Sequence, residues 1–208
     1  MSRAKTVRRA SRGKAPGVFT RLATLYDRMA KAYSETAAQA GLTCEGCRDN
    51  CCVSFFQHHT YIEWTYLWRG MRELPQETRT RFLSRAAEVV RGYQSALAMN
   101  VRPSIMCPLN DDGLCGLYQH RLMICRMHGT RNIMLLPNGE RRVFSGCSRF
   151  VESVQPLAED QIPVLDRTEL YRELVQLEME FVGPNLRVLP RVNLTLAEML
   201  VQGPPSLV

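Results

Sequence analysis

The sequence predicts a helix-rich α+β single domain carrying irregular cysteine-bearing loops and one small β-hairpin. Three observations lead there. Apolar residues recur at helical spacing over several long stretches. One Asn-Gly pair sits between two short β-prone runs. The eight cysteines of the 208-residue chain fall mostly in loops and short turns between the periodic stretches.

The first periodic stretch predicts a helix over 19–40, with Leu22, Leu25, Met29, Ala30 and Tyr33 on one face and Gly41 placed to stop it. Residues 53–58 are β-branched and aromatic and predict a short strand. Thr60 and Glu63 have capping-box spacing, in which the hydroxyl accepts from a backbone N–H and the carboxylate reaches back. They open a helix carrying Trp64, Leu67 and Trp68, with both tryptophans read as core residues. Pro75 suits the first turn of the next helix, which runs to about residue 99 with Phe82, Ala86, Val89, Val90, Tyr93 and Leu97 inward. Residues 102–116 read as loop and 117–124 as a short helical piece. Strands over 133–136 and 141–144 flank Asn138-Gly139, a tight-hairpin signature in which both residues take positive φ. A capping pattern at 166–169 precedes a helix to residue 182, ended by Gly183-Pro184. Thr195 and Glu198 open a last short helix.

The expected organisation is a basic disordered tail over 1–16, a core domain over 17–155, and a C-terminal helical extension over 156–208 packing on that domain. Arg3, Lys5, Arg8, Arg9, Arg12 and Lys14 supply most of the net charge of +7, and no acidic residue precedes Asp27. Such a tail suits nucleic acid or an acidic protein partner. With no aromatic residue interleaved, a solvated arm is the expectation and nucleic acid is not. No apolar run reaches the length of a membrane helix, and the basic start leads into no apolar signal region, so a cytoplasmic protein is expected.

Reducing cytosol keeps thiols free, so many cysteines there point to metal or redox chemistry rather than disulfides. The first group is Cys44, Cys47, Cys51 and Cys52. The second is Cys107, Cys115, Cys125 and Cys147. A C-x2-C turn such as Cys44 to Cys47 aims two sulfurs inward, and the Gly113 turn can bring Cys107 and Cys115 back together. Adjacent Cys51 and Cys52 would point in opposite directions in extended backbone, so they suit two sites better than one. Eight thiolates make two sets of four, and four complete a tetrahedral zinc site or a four-iron cluster. A single site with four ligands and four bystanders is equally countable. Core packing would explain one or two of them, Cys125 or Cys147 first. On the metal reading, the α+β domain is stapled by metal between segments about 60 to 100 residues apart.

These residues resemble a known family. Cys44-x2-Cys47-x3-Cys51-Cys52, Cys107-Pro108-Leu109, Asp112-Gly113-x-Cys115-x-Leu117-Tyr118 and Arg121 with Cys125-Arg126 are similar to the YkgJ-type CxxCxxCC cysteine-cluster proteins. The resemblance covers about half the chain and implies a zinc- or iron-chelating domain. It departs where Arg121 is followed by Leu122 rather than proline, and where three residues rather than two precede Cys51. A similar region occurs in a flagellin lysine-N-methylase that looks like an iron–sulfur protein. That implies an iron–sulfur cluster, 4Fe–4S first among the cluster types, as the alternative to zinc. It also raises an iron–sulfur-dependent redox or protein-modifying enzyme as the second functional reading.

Histidine can replace a thiolate, and His58 and His128 are better placed for that than His59 or His120, although a packed or surface role is the plainer expectation for each. Arg121 and Arg126 could offset thiolate charge. Glu169, Glu173, Glu178 and Glu180 read as a solvated helix face. There is no phosphate loop, GxSxG or Ser-His-Asp arrangement, so catalytic residues are not assigned.

Overall fold

Helical periodicity dominates the sequence, and helices dominate the chain. The computed structural model describes residues 17–45 and 51–207. Of these, 56% are helical, counting short 3-10 turns, and two small sheets accompany seven α-helices. That is an α+β domain. The tail over 1–16, Cys47 and Gly46 lie outside the described residues.

The first helix, α1 (Val18–Gln39), buries Leu22, Leu25, Tyr26 and Met29 as its spacing requires, and Gly41 follows its end. Helix α2 spans Tyr61–Glu73 and α3 spans Gln76–Ala98. On α3, Phe82, Ala86, Val89 and Tyr93 face inward, but Leu97 is half exposed because the last turn runs past the core. Pro75 caps α3 from outside its first turn. Residues 53–58 form no strand. They make only isolated bridges, Ser54 to Ser104 and His58 to Leu194.

Strands β1 (Asn110–Asp111) and β2 (Leu114–Cys115) form a miniature hairpin inside the expected loop. Helix α4 (Met123–Met127) follows a 3-10 turn at Tyr118–His120, so the expected helical piece is split in two. Strands β3 (Asn132–Leu135) and β4 (Arg141–Phe144) pair antiparallel with Asn132 opposite Phe144 and Leu135 opposite Arg141. Their turn differs from the tight form. Only Gly139 has positive φ, while Leu136 N–H donates to Glu140 O at 2.8 Å and Gly139 N–H to Leu136 O at 2.9 Å. Pro137, whose ring fixes φ near −65°, forbids a left-handed first position, so the chain turns over Pro137-Asn138 and places the left-handed step on Gly139.

Helix α5 (Ser148–Val154) and strand β5 (Leu165–Asp166) have no counterpart in the sequence reading, and β5 adds parallel to β3. Helix α6 (Thr168–Val182) packs on α1 and α2, and α7 (Leu196–Val201) packs on α3. The C-terminal helices therefore complete both large cores. One core holds Leu22, Leu25, Met29, Ile62 and Leu177. The other holds Trp64, Trp68, Phe82, Leu109 and Leu200. Both tryptophan N–H groups donate to Met199 O, at 3.1 and 3.0 Å. The Thr195–Glu198 capping box forms as its spacing predicts.

The Thr60–Glu63 box does not form. Thr60 Oγ1 instead donates to Glu63 Oε2 at 2.9 Å, and Glu63 Oε1 accepts from Tyr26 Oη at 3.0 Å and Met123 N at 2.7 Å. The vacated N-terminus of α2 is capped from a distance. Glu178 of α6 accepts from Tyr61 N and Ile62 N, both at 2.8 Å. Glu178 is thus buried, contrary to the solvated face expected of it. Glu169, Glu173 and Glu180 do lie at the surface, paired with Arg172, Arg28 and Arg21. A buried acceptor that satisfies two helix N–H groups is worth more than an exposed cap, because its loss strands both donors away from water. Glu178→Ala is expected to cost about 2–3 kcal/mol in urea unfolding, and Glu178→Gln less, since one amide oxygen remains to accept.

Candidate metal centre

Five chain segments bring the described cysteines together. The 3-10 turn at Cys51–Val53 is fixed to the third segment by Cys107 N–H donating to Cys52 O at 2.9 Å and by the Ser54–Ser104 bridge. The β1–β2 hairpin then returns Cys115 toward Cys107, turning over Asp112 and Gly113, both at positive φ. Gly116 lets this return lie directly on the core, since a Cβ there would collide with the Phe82 ring. Arg85 locks the hairpin to α3 through Asn110 O at 3.0 Å and Asp111 Oδ1 at 2.6 Å, and Arg81 reaches the other Asp111 oxygen. These guanidiniums hold the Asp111 carboxyl below its usual range. Helix α4 presents Cys125, and the Met123 bond to Glu63 sets where that helix begins.

The thiols of Cys52, Cys107, Cys115 and Cys125 share one electrostatic neighbourhood. Burial pushes the Cys107 thiol up, with Cys125, Cys52 and Cys115 adding to the rise. Burial also raises Cys115 and pushes Cys125 up to about 12, and Cys52 acts on both. Each of these shifts disfavours an isolated thiolate in a partly dry site. Cys51 and Cys52 are hydrogen-bonded to each other. That bond first raises the Cys51 thiol, while Cys52 is lowered, first by Cys51 and then by Asn110 and Arg121. The 3-10 turn explains why the adjacent pair does not splay as it would in a strand: successive side chains step by about a third of a turn rather than half.

Cys44 lies in the loop after α1, and Cys147 immediately precedes α5. Arg149 donates to Glu45 O at 3.0 Å, and Cys147 packs beside Leu42 in the small core of Ala40, Phe150 and Val154. The Tyr33 hydroxyl lies against Gly129. Burial pushes its pKa well up, helped by a hydrogen bond to Cys44 and by Cys147 and Cys51. None of the described cysteines is in a disulfide.

The donors are gathered but not closed. Among the described residues, no three His, Cys, Asp or Glu side chains stand in an arrangement that would hold a metal ion. The chemistry of the set nevertheless fits thiolate coordination. The four sulfurs come from three chain segments, and two buried donors stand beside them, Arg121 Nε, which has no hydrogen bond, and the Asn110 amide. The Asn110 amide still faces Cys52 and favours its thiolate. Buried N–H groups left over around converging sulfurs are what an anionic thiolate centre requires of its surroundings. Arg121 acts on Cys52, Cys115 and Cys125, and Arg126 on Cys115, so both arginines sit where negative sulfur charge would develop.

The histidines make contacts with aromatic rings and backbone. His120 rests on Tyr66, His128 on Phe56, and His59 meets Val192 O at 3.3 Å. His58 is 4% exposed, and burial pushes its pKa down to about 4, with Glu63 opposing. An unfolded histidine titrates near 6.5, so between those values the unfolded chain holds a proton that the folded chain refuses. This part of the stability is complete above about pH 6.5 and is lost as pH falls toward 4, by up to about 3 kcal/mol. Thermal unfolding from pH 7 to 4.5 should therefore fall less steeply for His58→Gln than for the unmodified chain.

Sequence reasoning missed three residues at the site. Asn110 could have been noticed as the first residue of its Asn-Asp-Asp-Gly turn. Tyr33 was placed in the apolar stripe, and spacing cannot show a hydroxyl reaching past the stripe's edge. Glu63 looked like a local cap. No family model, curated protein or solved structure matches this chain.

Proposed function

We propose that this protein binds metal through cysteine thiolates, as zinc or an iron–sulfur cluster, and is a relative of the YkgJ-type cysteine-cluster proteins. The observation that carries the reading is the shared electrostatic neighbourhood of Cys52, Cys107, Cys115 and Cys125. They come from a 3-10 turn, a loop, a hairpin strand and a short helix, with Arg121 and the Asn110 amide beside Cys52. Core packing asks for no such company, whereas thiolates on a metal need nearby donors to offset their charge. Bound zinc would supply a cross-link between loops, and an iron–sulfur cluster would add electron transfer. The chain's own residues supply the sulfurs, orient them through the Cys107–Cys52 and Arg85–Asn110 backbone bonds, and partly exclude water. Among the described residues no helix is long and apolar enough to cross a membrane. A reducing, cytoplasmic setting is part of the proposal because it keeps the thiols available.

Isolation without oxygen, followed by elemental and sulfide analysis, tests the reading. At least one equivalent of zinc in colourless protein, or iron with sulfide in brown protein, is expected. Protein without stoichiometric metal would overturn it.

A further inference from the structure

The three-stranded sheet runs in the order β4–β3–β5, so among the described residues β4 has a free edge. The hydrogen bonds fix which of its backbone groups face that edge. Leu136 N–H donates to Glu140 O, which makes these two a hydrogen-bonded pair. Such pairs alternate along an antiparallel ladder, so Arg142 and Phe144 turn their N–H and C=O toward β3, and Arg141 and Val143 turn theirs away. The far side of β3 follows the same alternation. Ile133 O accepts from Arg167 N and Leu135 N–H donates to Thr168 Oγ1, both at 3.0 Å and both away from β4. Among the described residues nothing bonds the outward N–H and C=O of Arg141 and Val143. All four residues of β4 are exposed. Two features stand on one face of this edge. Val143 and Ser145 join Val151, Val154 and Ile162 in lining an open cavity of about 230 Å3, whose one guanidinium, Arg131, is already paired with Glu159. Arg141, two residues from Val143 and so on the same face, has no ionic partner among the described residues, whereas Arg142 on the other face is paired with Glu140.

We propose that β4 is a docking edge for an extended, acidic segment of a partner protein. The segment adds as a fourth strand by bonding the outward backbone of Arg141 and Val143, sets an apolar side chain into the cavity beside Val143, and places a carboxylate on Arg141. Main-chain bonds supply the affinity in such an arrangement, and alternate side chains supply the selectivity. Residues opposite Val143 and Arg141 share one face, so the recognised pattern is an apolar and an acidic residue two positions apart. A second copy of this chain suits the edge less well, because pairing two β4 strands collects Arg141 and Arg142 of both chains on one short seam. The same arginines that discourage self-pairing, the ordinary hazard of an open edge, leave it receptive to an acidic strand.

Selection of a displayed library of random short peptides on the full-length protein tests this. Enriched peptides should carry an apolar and an acidic residue two positions apart, and binding one of them should slow amide exchange at Arg141 and Val143 by about tenfold or more. Val143→Pro removes an outward N–H and spares the β3 ladder, so it should abolish binding. Arg141→Glu, an exposed change that leaves the strand alone, should weaken an enriched peptide by about tenfold, and lysine in place of that peptide's acidic residue should restore it. No enrichment, enrichment of peptides without the pattern, or binding indifferent to Arg141→Glu and Val143→Pro would overturn the proposal. A dimer of the unmodified chain that Val143→Pro dissolves would also overturn it, by making a second copy the occupant.

Discussion

Glu63→Ala is expected to lower folding stability by about 3–5 kcal/mol, a large share of what a domain of this size possesses. The carboxylate is 3% exposed and accepts from Tyr26 Oη, Thr60 Oγ1 and Met123 N, so it ties α1, the entry to α2 and the start of α4 at one point. Alanine leaves three donors in a dry interior, and each stranded donor costs about 1–3 kcal/mol, partly relieved where water can enter. Glu63→Gln keeps the shape and one acceptor and should cost about 1–2 kcal/mol. Tyr26→Phe removes a single donor and should cost about 1 kcal/mol. Denaturant unfolding of the three variants gives the order directly. A Glu63→Ala protein as stable as Tyr26→Phe would show that the three bonds do not act together. Since Met123 lies two residues before Cys125, the same change should also weaken metal retention.

Removing metal should have the second large effect, and a local one. Binding energy of a structural thiolate site is folding energy, and about 10 kcal/mol or more is available from such sites. In this chain that energy acts most on the Cys44 loop and the Cys51–Val53 turn, which have little else to hold them. Cys51 and Cys44 are exposed, and the Cys51–Val53 turn buries none of its residues. Helices α1, α2 and α3 bury Leu22, Leu25, Met29, Ile62, Met71 and Phe82 completely, and each such side chain contributes about 1.5–3 kcal/mol without help from metal. Chelation should therefore raise amide hydrogen exchange at 42–45 and 51–57 by at least tenfold while α1 to α3 keep their protection. Uniform loss of protection would mean that metal holds the entire fold. Unchanged exchange would mean that it holds nothing.

The helices were legible because their apolar stripes are long: Leu22, Leu25 and Met29 or Phe82, Ala86 and Val89 have no alternative reading at that spacing. The strand expected at 53–58 failed because Phe55 packs on Tyr93 and Phe56 on His128, so their bulk serves tertiary contacts rather than a ladder. Helix α5 and strand β5 are short and draw their order from neighbours, Phe150 in a small core and Leu165 N bonded to Arg131 O. A local window carries no trace of either. The capping pattern at Thr60 was misread for the same reason. Spacing permits a Glu63 return bond, but Tyr26 and Met123, distant in sequence, compete for the carboxylate and win. Cysteine spacing exposed the candidate donors, yet could not say which belong together, because Cys107 and Cys125 meet Cys52 only through the fold of the intervening residues.

Sulfur ligation of a resident metal is the claim on which everything else depends, and X-ray absorption at the edge of that metal in anaerobically isolated protein tests it most directly. The account predicts a first shell dominated by sulfur, with about four scatterers near 2.3 Å if the metal is zinc. A shell of oxygen and nitrogen alone, or no edge at all, would contradict it.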